Sequence, residues 1–482
     1  MTNQLIGRKE EKKILKKALE SSEAEMISVI GRRRVGKTYL IREMYKKEIV
    51  FEISGLQDAT GKEQLRNFAN QLKKFSHSKI TIPPPKDWLD AFFMLEEYLS
   101  QAKMKKKSVI FFDEVPWLAT HKSGFLKGLT WFWNSWAVQQ KIVVVICGSS
   151  ASWMIQKILR NKGGLHNRVT KRIRLHPFNL SETEAFLASK KIRLARFQLL
   201  QLYMAMGGIP HYLKEIEGGK SATQNIEKIC FRDTGLLRDE FLNLYPALFE
   251  HSNHHVAIVR ALAVKPSGMT RVDLIKKAKL KDSGRITKVL DELSESGFIT
   301  AYPAFGKKKK SKLFRLTDEY SLFYLRFIEN NLLEKEGIWL ALSQGQSYKI
   351  WCGYAFENIC LKHISQIKKA LGISGVYTRA SSFFKKADAI SSGVQIDLLI
   401  DRNDQTINVV EIKFHTRQFT ISKDYARKLR EKVHVFREYS KTQKQIFLSF
   451  ISVFGIKPNV NSIGLVDNDL NVDVLFEKIE RT

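Results

Sequence analysis

Apolar positions along the first third of the chain come in two rhythms. Short unbroken apolar runs at residues 26–30, 108–112 and 142–147 have the length and continuity of strands buried on both faces of a parallel sheet. The segment 39–45 after the first run carries apolar residues at helical spacing, and amphipathic stretches separate the other runs. This alternation predicts an α/β unit over residues 1–178, with Pro83-Pro84-Pro85 as a rigid break inside it. Residues 179–245 keep the helical period throughout. They open at Asn179-Leu180-Ser181-Glu182, whose polar residues suit a helix start, and are interrupted by the breaker Gly207-Gly208-Ile209-Pro210.

Residues 246–330 change pattern again. Apolar-faced helices are expected at 257–264, 271–278 and 283–296, followed by short strands at 298–302 and 312–316 around Lys307-Lys308-Lys309-Lys310. Three helices and a hairpin is the order of a winged helix. Its third helix, carrying Arg285 and Lys288, would enter a major groove while the basic wing touches phosphate. The same module also serves as a protein-interaction surface, so a protein partner stays open. In residues 331–482 a strand at 394–400, a turn at Asp401-Arg402-Asn403-Asp404-Gln405 and a second strand at 407–412 predict a hairpin in a further α/β domain.

Composition narrows the classes. A chain of 482 residues should hold two to four domains. With 44% hydrophobic and 27% charged residues it reads as globular rather than disordered. Its 80 Lys+Arg against 49 Asp+Glu give a formal net charge of +31, which favours a polyanionic partner, DNA or RNA ahead of a membrane surface. The cysteines, 147, 230, 352 and 360, form no C-x-x-C, which points to reduced thiols and away from structural zinc. The opening is polar and charged, without a signal-peptide pattern, and no apolar span reaches bilayer length. A cytoplasmic protein with no membrane partner is expected.

The first apolar run leads into Gly31-Arg32-Arg33-Arg34-Val35-Gly36-Lys37-Thr38, a complete G-x-x-x-x-G-K-T loop between a strand and a helix. Gly31 and Gly36 let backbone N–H groups turn toward phosphates. Lys37 can reach the β- and γ-phosphates, and the Thr38 hydroxyl can ligate Mg²⁺. The second run ends in Asp113-Glu114, delivered to the carboxyl edge of the sheet: Asp113 would hold Mg²⁺ and Glu114 would orient or activate a water. The third ends in Gly148-Ser149-Ser150, where the Ser149 hydroxyl could sense a γ-phosphate. Near the other end, Glu411-Ile412-Lys413 places Glu411 and Lys413 on one strand face. If the two strands pair, Asp397 and Glu411 can converge on one Mg²⁺, with Lys413 positioning a water or a phosphate. Glu357, on the preceding helix Gly353-Tyr354-Ala355-Phe356-Glu357, supplies another carboxylate. An ordinary charged hairpin has the same pattern.

Taken together these motifs resemble the archaeal-type P-loop ATPases of the STAND class, many of which carry a C-terminal domain similar to the PD-(D/E)XK nucleases. Leu5-Ile6-Gly7-Arg8-Lys9-Glu10-Glu11 resembles the family's opening G-R-x-x-E box, so Gly7 and Arg8 are implied near the nucleotide base. Gly163-Gly164-Leu165-His166-Asn167-Arg168 falls where such proteins have L-x-G-R, with Asn167 in place of glycine, which makes Arg168 the implied γ-phosphate contact, in its own subunit or a neighbour's within a homo-oligomer. Gly207-Gly208-Ile209-Pro210 matches the G-G-x-P signature, which implies that Pro210 contacts the nucleotide from a helical lid. The resemblance implies ATP rather than GTP. The expected architecture is therefore multidomain α/β. It comprises a P-loop parallel-sheet ATPase domain (1–178), a helical lid (179–245), a winged helix (246–330) and an α/β restriction-endonuclease-like domain (331–482). Two functions stay open: an ATP-driven switch acting on DNA with metal-dependent cleavage, or an ATP-dependent regulator or scaffold that binds without cutting.

Overall fold

The structure is a computed structural model that describes residues 5–101, 106–160, 165, 167–249, 251–303, 305–306, 312–331, 337–385 and 393–479. The chain divides into two compact units, residues 1–177 with 248–250, and residues 178–247 with 251–482.

The first unit is built on β1 (Glu25–Ile30), β2 (Ile49–Ser54), β3 (Ser108–Asp113), β4 (Ile142–Gly148) and β5 (Lys171–Arg174). They lie in the order β2-β3-β4-β1-β5, all neighbours parallel. Every residue of β1, β3 and β4 is buried, which is why these strands read as unbroken apolar runs. β4 sits between β1 and β3, and the register pairs Ile30 with Gly148 and Phe112 with Ile146, so the three carboxyl ends share one edge. The helix expected at 39–45 runs from Lys37 to Met44, starting directly from Gly36, whose φ of 93° only glycine adopts without strain. Helices Trp88–Gln101 and Phe125–Ser135 pack with aromatic contacts, Trp88 meeting Phe125 edge-on at 4.8 Å. Gly128 makes that approach possible, since a Cβ there would lie 2.6 Å from the Phe92 ring.

In the second unit, helices Leu180–Ser189 and Arg196–Met206 precede the glycine pair. Gly207 has φ 66°, and Gly208 accepts a hydrogen bond from the Phe178 amide at 2.7 Å. A Cβ on Gly208 would fall 1.8 Å from the Phe178 carbonyl oxygen. Buried His363 ties this region to the helix Gln346–Lys362: its Nδ1–H donates to the Ile359 carbonyl, and its Nε2 accepts from the Leu180 amide at 3.2 Å. Burial pushes its pKa down to about 4.

Helices Asn253–Val264, Arg271–Lys277 and Gly284–Glu295 are followed by a small antiparallel sheet, β6 (Met269–Thr270), β7 (Ile299–Pro303) and β8 (Lys312–Leu316), in the order β6-β8-β7. The third helix buries Ile286, Val289, Leu290 and Leu293 and leaves Arg285 and Lys288 exposed. The lysines 307–310 lie outside the described residues. A second five-stranded sheet has the order β13-β12-β11-β10-β9, from β9 (Thr378–Lys385), β10 (Val394–Arg402), β11 (Thr406–Lys413), β12 (Gln445–Ser452) and β13 (Asn468–Leu470). β10 runs antiparallel to β9 and β11, while β11, β12 and β13 are parallel. The helix Lys423–Ser440 makes the crossover that parallel β11 and β12 require. The turn before β11 is tighter than expected, because β10 continues to Arg402.

Two outcomes follow for stability. Gly208→Ala should lower the thermal midpoint, at a cost of about 3 kcal/mol, because backbone must move to admit the methyl group. Below about pH 6.5 the unfolded chain protonates His363 while the folded chain resists, so stability is complete above that pH and declines toward pH 4, by up to about 3 kcal/mol. His363→Gln keeps an acceptor that does not titrate. Denaturant melts between pH 4 and 7 should show a flatter slope for that variant.

Candidate functional site

The G-x-x-x-x-G-K-T loop hangs between β1 and the helix Lys37–Met44. Gly31 is required by close approach, since a Cβ would lie 2.5 Å from the Leu175 carbonyl oxygen. Buried Arg8 braces the loop from outside: its guanidinium donates to the Val35 carbonyl at 3.1 Å and to the His176 carbonyl at 2.6 Å. Gly7, with φ 65°, turns the chain into this contact. The Lys37 ammonium donates to the Arg32 carbonyl at 3.1 Å, so it already points back over the loop. The helix N-terminus after Gly36 adds backbone donors suited to an anion.

Across the same edge, the Thr38 hydroxyl donates to Asp113 Oδ2 at 2.7 Å. A hydroxyl beside a carboxylate is a set of oxygen donors that a hard divalent cation accepts. Glu114 leaves β3 at φ 46°, a strained left-handed turn that swings its side chain toward β4. There Glu114 Oε2 accepts from both the Ser149 amide at 2.9 Å and the Ser149 hydroxyl at 2.8 Å. The structure thus brings Lys37, Thr38, Asp113, Glu114 and Ser149 to one strand edge, with Ser149 directly on the acid.

Arg168 is exposed, its amide donating to the Leu165 carbonyl at 3.1 Å. Gly163, Gly164 and His166 lie outside the described residues. Asn167 has φ 59°, and asparagine is among the few residues that enter this region readily, so the position normally held by glycine keeps its turn. Pro210 begins the short helix Pro210–Leu213 in the second unit.

The second constellation lies on the β10–β11 hairpin. Leu398 pairs with Val410, so one step further along the register Asp397 stands opposite Glu411. Glu411 is fully engaged. Its Oε1 accepts from the Tyr425 hydroxyl and faces the Lys413 ammonium at 3.1 Å, while Oε2 accepts from the Lys432 ammonium at 2.7 Å. Glu357 forms a buried ion pair with Arg315 of β8. Burial, with the Glu357 and Glu411 charges, pushes Asp397 up to about 7. Burial alone would also raise Glu411, but the Lys413 and Lys432 charges outweigh it and hold that carboxyl low. Lys413 is raised, because the Glu411 charge outweighs a burial that would lower it. Among the described residues no group of three or more His, Cys, Asp or Glu is arranged to hold a metal ion. Arg315 takes up the charge of Glu357, and Lys413 and Lys432 that of Glu411, while Asp397 accepts from the Gln395 side-chain amide at 3.0 Å, and in this arrangement the three carboxyl groups do not fit a bound cation. The sequence reading missed Tyr425, Lys432 and Arg315, which come from other elements and carry no local motif.

Comparison with known proteins agrees with the geometry of the first site. Residues 5–216 match the family model of an ATPase domain predominantly from Archaea. An uncharacterised protein of Methanocaldococcus jannaschii is 25% identical over 414 residues, covering 85% of this chain and 87% of its own length. A Walker-type ATPase of Pyrococcus abyssi has a similar fold, with a TM-score of 0.50 and 16% identity over 68% of this chain and 97% of its own. The Aeropyrum pernix ORC2 protein, solved in ADPNP–ADP complexes, gives a TM-score of 0.42 and 16% identity over 72% of this chain and 98% of its own. The N-terminal part of the chain is therefore similar to an archaeal ATPase domain over residues 5–216, the stretch that carries the phosphate loop and the Asp113-Glu114 edge. No helix among the described residues is long and apolar enough to cross a membrane.

Lys37→Ala should abolish nucleotide binding, and Glu114→Gln should retain ATP while slowing turnover by about 10²–10⁴-fold. Equilibrium binding of a fluorescent ATP analogue, set beside phosphate release, separates the two defects.

Proposed function

We propose that this protein is an ATP-driven switch that acts on DNA through its second unit. The observation that carries the reading is the single strand edge where Lys37, Thr38, Asp113, Glu114 and Ser149 meet. Thr38 and Asp113 would hold Mg²⁺, which would neutralise phosphate charge, Glu114 would orient the attacking water, and Ser149 would report the γ-phosphate by giving up or keeping its hold on Glu114. Arg168 is the proposed further contact to that phosphate, in its own subunit or in a neighbour of a homo-oligomer.

Action on DNA rests on two supports. The helices Asn253–Val264, Arg271–Lys277 and Gly284–Glu295 with the β7–β8 hairpin have the order of a winged helix, and Arg285 and Lys288 face outward on the third helix. The net charge of +31 favours a polyanion. In this reading residues 246–330 form the DNA-contacting module, residues 179–245 a helical lid, and residues 331–482 a nuclease-like module in which Asp397, Glu411 and Lys413 supply the chemistry. A reducing, cytoplasmic setting suits four free buried cysteines.

A second reading has a specific observation in its favour. Because Arg315, Lys413 and Lys432 neutralise the carboxylates, the same unit also suits an ATP-dependent regulator that binds DNA or protein and does not cut. DNA integrity over time with Mg²⁺ and ATP separates the readings. Cleavage by the wild type that disappears in Lys413→Ala, with ATP turnover spared, supports the nuclease. Intact DNA in both, with ATP consumed and binding that weakens steeply as salt rises, supports the regulator.

A further inference from the structure

The helix Lys423–Ser440 has a face that neither site uses. Tyr425 and Lys432 lie on its side toward Glu411, and Ala426, Leu429, Val435 and Phe436 are buried. Lys423, Arg427, Arg430, His434 and Arg437 recur at intervals of four, three, four and three residues, and all five are exposed. At about 100° per residue they fall within ~40° of one line, on the side of the helix away from Glu411. That line runs for roughly 20 Å. Arg427 pairs with Asp424 at 3.3 Å in full solvent, while Arg430, His434 and Arg437 carry no ion pair among the described residues. Glu431 and Glu438 stand about 60–80° to one side, so no acid lies within the stripe itself.

A cavity of 270 Å³ adjoins this stripe. Val433, Ile446, Leu448 and Leu465 supply its apolar lining, and Arg430, His434 and Arg437 reach it from the stripe. Asp467 completes the lining, its Oδ2 accepting from the Leu448 amide at 2.6 Å. The volume falls below the roughly 300–1,000 Å³ that encloses a drug-sized ligand, so it has room for one flat ring system and not for a whole nucleotide. A row of cations tracks a phosphate backbone, and guanidinium and imidazole planes stack on bases. Asp467 decides between two kinds of polyanion. It repels the carboxylate of an acidic peptide, but a carboxylate accepts from the amino group of a nucleobase. A base reaches such a cavity only when it is unpaired and unstacked. We propose that this surface binds single-stranded nucleic acid, with phosphates along the stripe and one base in the cavity beside Arg430 and Arg437. The inference rests on the reading that the second unit acts on nucleic acid, and it adds a kind of strand and a surface which that reading does not assign.

The test is fluorescence anisotropy of labelled oligonucleotides with the full chain in EDTA, without ATP, so that no strand is cut. The probes are one single strand made as DNA and as RNA, its duplex, and an abasic single strand of the same length. The single strand should bind roughly tenfold or more tightly than the duplex and the abasic strand. Arg430→Gln combined with Arg437→Gln should weaken that binding roughly tenfold and flatten the slope of log affinity against log salt by about 1.4, as the loss of two phosphate contacts requires. Glutamine suits these exposed helical positions, so the thermal midpoint should not move. Leu465→Trp should fill the cavity and erase the preference over the abasic strand while leaving the salt slope unchanged. Preference between the DNA and RNA strands tells which of the two the surface takes. Single-strand binding that is equal in wild type and the double variant, or equal for normal and abasic strands, overturns the proposal. Duplex bound more tightly than single strand, and unaffected in the double variant, overturns it while the reading of a DNA-acting second unit stands. Binding of no probe removes both.

Discussion

Carboxylates removed from water at the ends and faces of buried strands must be compensated, and the identity of the compensating group decides what each site in this chain can do. Asp113 is 4% exposed and Asp397 9%, so neither can rely on solvent. The parallel sheet of the first unit creates this condition by aligning the carboxyl ends of β1, β3 and β4 on one edge. Strand order matters as much as strand existence. Because β4 lies between β1 and β3, the residue that leaves it, Ser149, is the one placed against Glu114.

That order could not be read from the sequence, although the strands could. β1, β3 and β4 were legible because burial on both faces leaves an unbroken apolar record. β5, Lys-Arg-Ile-Arg, buries only Ile173 and carries no such record, since an edge strand is specified by its neighbour and not by its own pattern. The phosphate loop was legible as a contiguous motif whose glycines answer local demands, the left-handed φ at Gly36 and the Leu175 carbonyl against Gly31. Arg8 shows the opposite case. Its motif was visible, but its work of holding the Val35 and His176 carbonyls depends on chain segments 27 and 168 residues away.

The hairpin of the second unit divides the same way. The alternation of β10 and β11 sets Asp397 against Glu411 and puts Lys413 beside it, and two-residue periodicity suffices for that. The groups that determine its charge state come from elsewhere. Tyr425 and Lys432 arrive from the crossover helix, and Arg315 arrives on a strand 42 residues before the glutamate it pairs with. Long-range ion pairs leave no periodic trace, so the sequence could name the acids but not their counter-charges.

The two sites therefore differ in kind. At the nucleotide edge, Asp113 and Glu114 are held by neutral donors, the hydroxyls of Thr38 and Ser149 and the amides of Glu114 and Ser149. A neutral hydrogen bond contributes only about 1 kcal/mol net, so an incoming ligand can displace it at little cost. In the second cluster the partners are themselves cations. Separating a buried ion pair without replacement costs about 3–5 kcal/mol, so no ligand takes Glu357 or Glu411 unless it brings equivalent charge or the partner strand moves first. The first site is poised for its ligand by weak neutral contacts, and the second is held shut by strong ionic ones.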